Sequence, residues 1–348
     1  MSLVTPKQGD NAWVANGAQE ILALRIEYLA IYRPDECTLS SLWRYVNAPL
    51  DKMREMTMEM MACGEEAIEG IAERAMIDMR DAPEQFRAYL SEMITALRSF
   101  RPGSPLAVVT DSSDFDPASM RAELTTVYLM TPENKIEASA RWMALTLSSI
   151  LETCANTPGP VPICFLVDEL ANLPYMPIVP KALTLYAGLG LQIWGLCQGR
   201  ESLRAAGYSD ATIKSFEQQA GVLHMWGVED PELIRDIELW SGKTSVAVRG
   251  VNNSGGQVAS ASFGITEHAR PTLQPEDIRA IDEGRQIIRF RGNHLFVADR
   301  VPWFKVPRWA GVLRDVRTLH HQIGSSRPTR AEAPASTPPM RQLPPPRD

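Results

Sequence analysis

The chain has 348 residues, 45% of them apolar and 22% charged, the balance of a soluble globular protein with enough apolar mass for a sizeable core. Its formal net charge of −7 excludes an overall basic field of the kind that binds nucleic acid, although a ring-forming motor can confine basic residues to one surface. The five cysteines (Cys37, Cys63, Cys154, Cys164 and Cys197) form no CxxC pair and are odd in number, which argues against a disulfide framework; Cys164 and Cys197 lie in apolar runs and read as buried thiols in a reducing compartment.

The N-terminal stretch has no apolar core of the signal-peptide kind, and no apolar run reaches the ~18–20 residues of a membrane span. The expectation is a soluble, cytoplasmic chain. From Asn11 to Tyr32, the positions Ile21, Leu22, Leu24, Ile26 and Leu29 predict a helix, which Pro34 and Asp35 break. From Thr38 to about Phe100 the pattern is helical throughout. Thr38 or Ser40 can cap its first helix, and Met53, Met56 and Met60 follow at helical spacing as core positions.

After Pro102 the period changes. Short apolar runs at Leu106–Val109, Thr125–Met130, Ile163–Val167, Leu191–Cys197 and Val222–Trp226 read as strands, with helices at Ile136–Leu151, Ile178–Ala187 and Ser202–Gln219 between them. Strands alternating with helices predict a parallel sheet covered on both faces. From Thr244 to Val297, four further strands with a turn at Asn252 to Gly256 predict antiparallel additions at one edge of that sheet. The stretch from Gly324 to Asp348 holds seven prolines and reads as a disordered tail.

One motif carries chemistry. The apolar run Ile163–Val167 ends in Asp168 and Glu169. Ligands in open α/β sheets bind at the carboxyl ends of strands. There the first acid can hold Mg²⁺ and the second can polarise the water that attacks a γ-phosphate, which is the Walker B arrangement. The same pattern also occurs at an ordinary strand end with a helix cap. Thirty positions on, beyond a turn marked by Gly188 and Gly190, Gln198 ends the next apolar run, a position that by itself reads as the start of a helix. The histidines show no metal-ligand spacing.

The run from Phe165 to Gln198 resembles the type IV coupling proteins, the TraG/TraD-like conjugative DNA-transfer ATPases. The resemblance extends over about residues 10 to 300: the helix at Asn11–Tyr32, the helical stretch after it, Asp114-Phe115-Asp116-Pro117 with Thr125–Leu129, and Leu239–Thr244 all fit in order. It implies an α/β fold, a RecA-like P-loop NTPase sheet, with an inserted all-helical domain. The implied division is a lead-in at 1–37, an all-alpha domain at 38–102, the nucleotide-binding core at 103–315 and the Pro-rich tail at 316–348. It further implies ATP and Mg²⁺ as cofactors, and DNA with its relaxase, the secretion channel and a homo-hexamer as partners. Asp168, Glu169 and Gln198 become the site residues, with Asp168 facing the metal and Gln198 sensing the γ-phosphate through its amide.

Two departures from the family pattern stand out. No G-x-x-x-x-G-K-[ST] occurs in the sequence, and Gly242-Lys243-Thr244 precedes a strand where a phosphate loop would follow one. The family places its phosphate loop and two membrane spans upstream, and the expectation is that this polypeptide lacks that part, is inactive alone and leaves a raw sheet edge beside Ile163–Val167. The second departure is Ala187, where many family members carry an arginine that reaches a neighbouring subunit's nucleotide; neither Arg200 nor Arg204 inherits that role by pattern. The alternative is a truncated, non-catalytic module that binds or completes a partner of the same system.

Overall fold

The computed structural model describes residues 3–4, 12–253, 261–292 and 295–310. The expected tail, residues 254–256 of the expected turn, and His294, His320 and His321 lie outside these. Contacts divide the chain into two units, 1–223 with 290–293 and 224–289 with the residues from 294 on.

In the first unit, α1 (Ala12–Tyr32) packs with α2 (Leu39–Val46), α3 (Leu50–Met61), α4 (Glu66–Asp81) and α5 (Pro83–Leu97) around one core. Thr38 caps α2 by accepting from Ser41 N at 3.1 Å. Met53, Met60 and Met93 are fully buried, with Tyr45 and Phe100 beside them; burying each such side chain contributes roughly 1.5–3 kcal/mol. The methionines are core, as their spacing indicated. Arg25 is buried among them, its guanidinium over the rings of Tyr28 and Tyr45 at 5.4 and 5.2 Å.

The run Leu106–Val109 is not a strand. It belongs to α6 (Pro105–Val109), which Ser104 caps by accepting from Ala107 N at 3.1 Å. Nor is Thr125–Met130 a strand: the segment is irregular, with Tyr128 and Met130 exposed, and has no strand beside it among the described residues. The alternation becomes regular from α7 (Ile136–Asn156), which leads to β1 (Ile163–Val167), α8 (Ile178–Leu185), β2 (Leu191–Gly195), α9 (Arg200–Ala205) and α10 (Asp210–Gln219).

β1 and β2 pair in parallel, from Ile163 opposite Leu191 to Val167 opposite Gly195. Burial alternates along β1. Ile163 and Phe165 pack on Leu151, Cys154, Ala182 and Tyr186, and Val167 packs on Ala144, Leu170 and Val179. The opposite face carries exposed Cys164, Leu166, Gln192 and Trp194, with Leu166 and Trp194 each 64% exposed. Among the described residues, the expected cover on both faces is therefore present on one only. Cys164 and Cys197 are exposed residues rather than buried ones, because the strand's period of two puts Cys164 on the open face and Cys197 falls after β2 has ended.

A second sheet has the order β3-β6-β7, formed by β3 (Val222–Met225), β6 (Arg285–Phe290) and β7 (Leu295–Asp299). After α11 (Pro231–Trp240), β4 (Lys243–Asn253) and β5 (Ala261–Pro271) pair only with each other, antiparallel. Two short helices, α12 (Pro275–Arg279) and α13 (Pro307–Ala310), complete the described elements. The late strands thus form sheets of their own and are not additions to the edge of β1 and β2. Lys243 opens β4, so Gly242-Lys243 leads into a strand, as its sequence context implied.

Candidate functional site

The site lies at the carboxyl ends of β1 and β2. Asp168 follows the last residue of β1 and is exposed in a turn. Glu169 comes next at φ 57, ψ 69, the only non-glycine with positive φ among the described residues. A non-glycine residue in this left-handed region costs roughly 1–2 kcal/mol. Glu169 is half-buried, and its Oε1 is shielded from solvent with no hydrogen-bond partner. A strained backbone and an unsatisfied carboxylate oxygen at a strand end are features that cluster at functional positions.

Pairing continues one step beyond the strands. Leu196 N donates to Val167 O at 3.0 Å, and Leu170 N donates to Leu196 O at 2.7 Å. The turn after the acid pair is thereby tied to the segment leading into Gln198, which is exposed three residues beyond the end of β2. Cys197 is exposed as a residue, yet desolvation of its sulfur holds the thiol above its ordinary range; the backbone N–H of Gly199 pulls it down, and the carboxylates of Glu169 and Glu217 push it further up. The structure thus brings the Asp168–Glu169 turn and the Gln198 segment together at one end of the paired strands.

The opposite end is held by a residue without a sequence motif. Arg121 is buried and donates to four backbone carbonyls: Nε to Thr157 at 3.1 Å, Nη1 to Val161 at 2.6 Å, and Nη2 to Gly159 at 2.9 Å and Leu189 at 3.0 Å. It therefore joins the lead into β1 to the turn before β2. That turn closes through Gly190 at φ 76, where an L side chain is disfavoured, and Gly190 O accepts from Ile163 N at 3.0 Å.

The acid pair offers hard oxygen donors of the kind Mg²⁺ takes. Asp168 is open to solvent and Glu169 has an oxygen still to be satisfied, so these residues fit a Mg²⁺–nucleotide group. The sequence specifies no phosphate loop to go with them. Ala187 opens a short 3₁₀ turn before Gly190. Arg200 and Arg204 are engaged within the chain, Arg200 with Glu217 and Arg204 with Asp210 and Glu201. Among the described residues there is no group of three or more metal-ligating side chains, and no helix is long and apolar enough to cross a membrane.

A family model described as Type IV secretory system Conjugative DNA transfer matches residues 1–326. The protein VirD4 of Agrobacterium fabrum is 26% identical over 188 residues, 53% of this chain and 28% of that protein. A conjugal transfer protein TraG of Rhizobium radiobacter is 23% identical over 275 residues, 78% of this chain and 42% of that protein. The chain thus spans well under half the length of these relatives. The conjugative coupling protein TrwB, solved in a trigonal form with sulphate, shares the fold with a TM-score of 0.65 at 16% identity, covering 85% of this chain and 65% of that one. TrwB has also been solved with ADP and Mg²⁺; that structure overlays with a TM-score of 0.60.

Proposed function

Since the chain belongs to the family of type IV secretory system conjugative DNA transfer proteins, we propose that it contributes the acid-and-sensor half of the ATP site in a coupling motor, one that recruits DNA with its relaxase and drives it to the secretion channel. The observation that carries this reading is the join between the two strand ends, where Leu170 N meets Leu196 O and sets Asp168–Glu169 beside the Gln198 segment.

In this reading Asp168 holds Mg²⁺, which when bound neutralises charge on the phosphates. Glu169 orients water and accepts its proton. Gln198 reads the γ-phosphate through its amide and reports to the parts that face DNA. The phosphate cradle comes from polypeptide outside the motifs of this sequence. The all-alpha stretch 38–102 serves cargo recognition, the core at 103–315 serves the nucleotide, and the working assembly is a homo-hexamer anchored at the inner membrane. ATP binding and DNA-stimulated hydrolysis, measured together on Asp168, Glu169 and Gln198 variants of the full-length protein, test the assignment.

A second reading is favoured by the open face of β1 and β2, with Leu166 and Trp194 each 64% exposed. In it the chain is a non-hydrolysing module completed by polypeptide that covers this face. ATP hydrolysis by the full-length protein separates the two: turnover that is lost on Glu169→Gln excludes the module.

A further inference from the structure

Gln198 stands between two anchors. Ahead of it, Leu196 is fastened to Val167 and Leu170 by backbone bonds. Behind it, Gly199 at φ 154, ψ 179 opens α9, and its carbonyl accepts from Ser202 Oγ at 2.8 Å. The next residue, Arg200, makes a two-pronged contact with Glu217 of α10: Nε to Oε1 at 2.7 Å and Nη2 to Oε2 at 2.7 Å. The two side chains are 5% and 15% exposed, so this is a buried ion pair.

Resting on the reading above, we infer that the Arg200–Glu217 pair is a positioning device for Gln198: it fixes the backbone behind the sensor, with the Glu217 carboxylate neutralised by the guanidinium. Three features argue for more than a staple between two helices. The pair follows Gln198 by only one intervening residue. That residue is a glycine in a conformation other residues avoid, so the chain direction between sensor and anchor is set with little slack. Arg204 already ties α9 to Asp210 at 2.6 Å on the outside, so helix docking alone does not call for a second, buried pair. A guanidinium fork on a carboxylate also fixes orientation as well as distance, as a lysine would not.

The test uses Arg200→Gln/Glu217→Gln, in which two neutral amides leave no uncompensated buried charge. The expected result is a thermal midpoint close to the parent's, with unchanged hydrogen exchange in the β1 ladder. The Leu196 amide should exchange at least ~10-fold faster, as a local opening does. A Leu196 amide that is unchanged, or that speeds up only in step with the β1 ladder, overturns the proposal. Each single variant alone should lower the midpoint, since it strands one buried charge. ATP hydrolysis by the full-length protein separates this inference from the site assignment beneath it. If Gln198→Ala and the double variant each lower kcat about 10-fold at unchanged KM, and their combination is no worse, the pair acts through Gln198. If Gln198→Ala hydrolyses at the parent rate, the sensor assignment fails, while the Leu196 amide still decides the anchoring.

Discussion

The backbone N–H of Leu170 meets the carbonyl of Leu196 at 2.7 Å, one residue past the acid pair on one strand and two residues before Gln198 on the other. This bond makes the two sequence motifs neighbours, and the consequences of altering them can be stated separately.

On the proposed assignment, replacing Glu169 with Gln removes the proton acceptor without changing size. In the full-length protein this should cut ATP hydrolysis ~10²–10⁴-fold while leaving ATP binding in place. Asp168→Asn should weaken Mg·ATP binding as well, because a metal-facing charge is lost. Gln198→Ala should keep binding and lose stimulation by DNA. Equilibrium binding of a fluorescent ATP analogue beside a phosphate-release assay checks all three. Parental turnover in Glu169→Gln would reduce the acid pair to a strand end with a cap.

The backbone at Glu169 gives a stability signature independent of catalysis. Glycine relieves roughly 1–2 kcal/mol of left-handed strain and returns roughly 0.5–1 in chain entropy, so Glu169→Gly should be neutral to slightly stabilising. A β-branched Glu169→Val should destabilise relative to Glu169→Gln, since valine resists positive φ. Thermal melts of the three variants rank them, and valine melting above glycine would contradict the backbone assignment.

Arg121 satisfies four carbonyls with one planar group. Arg121→Met should destabilise by more than ~3 kcal/mol, because stranding each buried acceptor costs roughly 1–3 kcal/mol. Lysine, lacking the fork, should recover less than half of that loss. Urea unfolding of the variants checks this.

Tyr208 is buried, and burial pushes its phenol from the usual 10.0 to about 12. The folded state therefore holds the phenolic proton over a pH range in which the unfolded chain has released it. Stability is fully present below about pH 10 and declines as pH rises toward about 12. The loss is on the order of 2–3 kcal/mol for a two-unit shift. Tyr208→Phe should flatten that alkaline decline, as denaturant midpoints between pH 9 and pH 12 would reveal; an equal decline in both proteins would place the titration elsewhere.

The parts of the fold that local pattern could reveal are those where pattern and burial coincide. Ile163–Val167 alternates and ends in acids, Gly190 takes the left-handed turn a glycine permits, and the helices before Phe100 follow their apolar period. Leu106–Val109 misled because four apolar residues suit either structure; Ser104 and Pro105, a cap and an N1 proline, were the deciding signal. Thr125–Met130 has strand composition but finds no strand partner among the described residues, and pairing is a property of distant chain. At the candidate site, the apolar run before Asp168 and Glu169 marked the strand end, and the family resemblance pointed to Gln198. Arg121, Arg200 and Glu217 were not legible, because a lone charged residue carries no local mark of the carbonyls or carboxylate it will meet.

The clamp at Arg121 also determines what kind of motion the site allows. With Thr157, Gly159, Val161 and Leu189 all gathered on one guanidinium, the amino ends of β1 and β2 are fastened to a single group. The strands cannot shear past each other without breaking those bonds together. At the other end the bonds of Leu196 to Val167 and Leu170 hold the strands as well, so the pair is fastened at both ends and its two carboxyl-end turns are tied to each other.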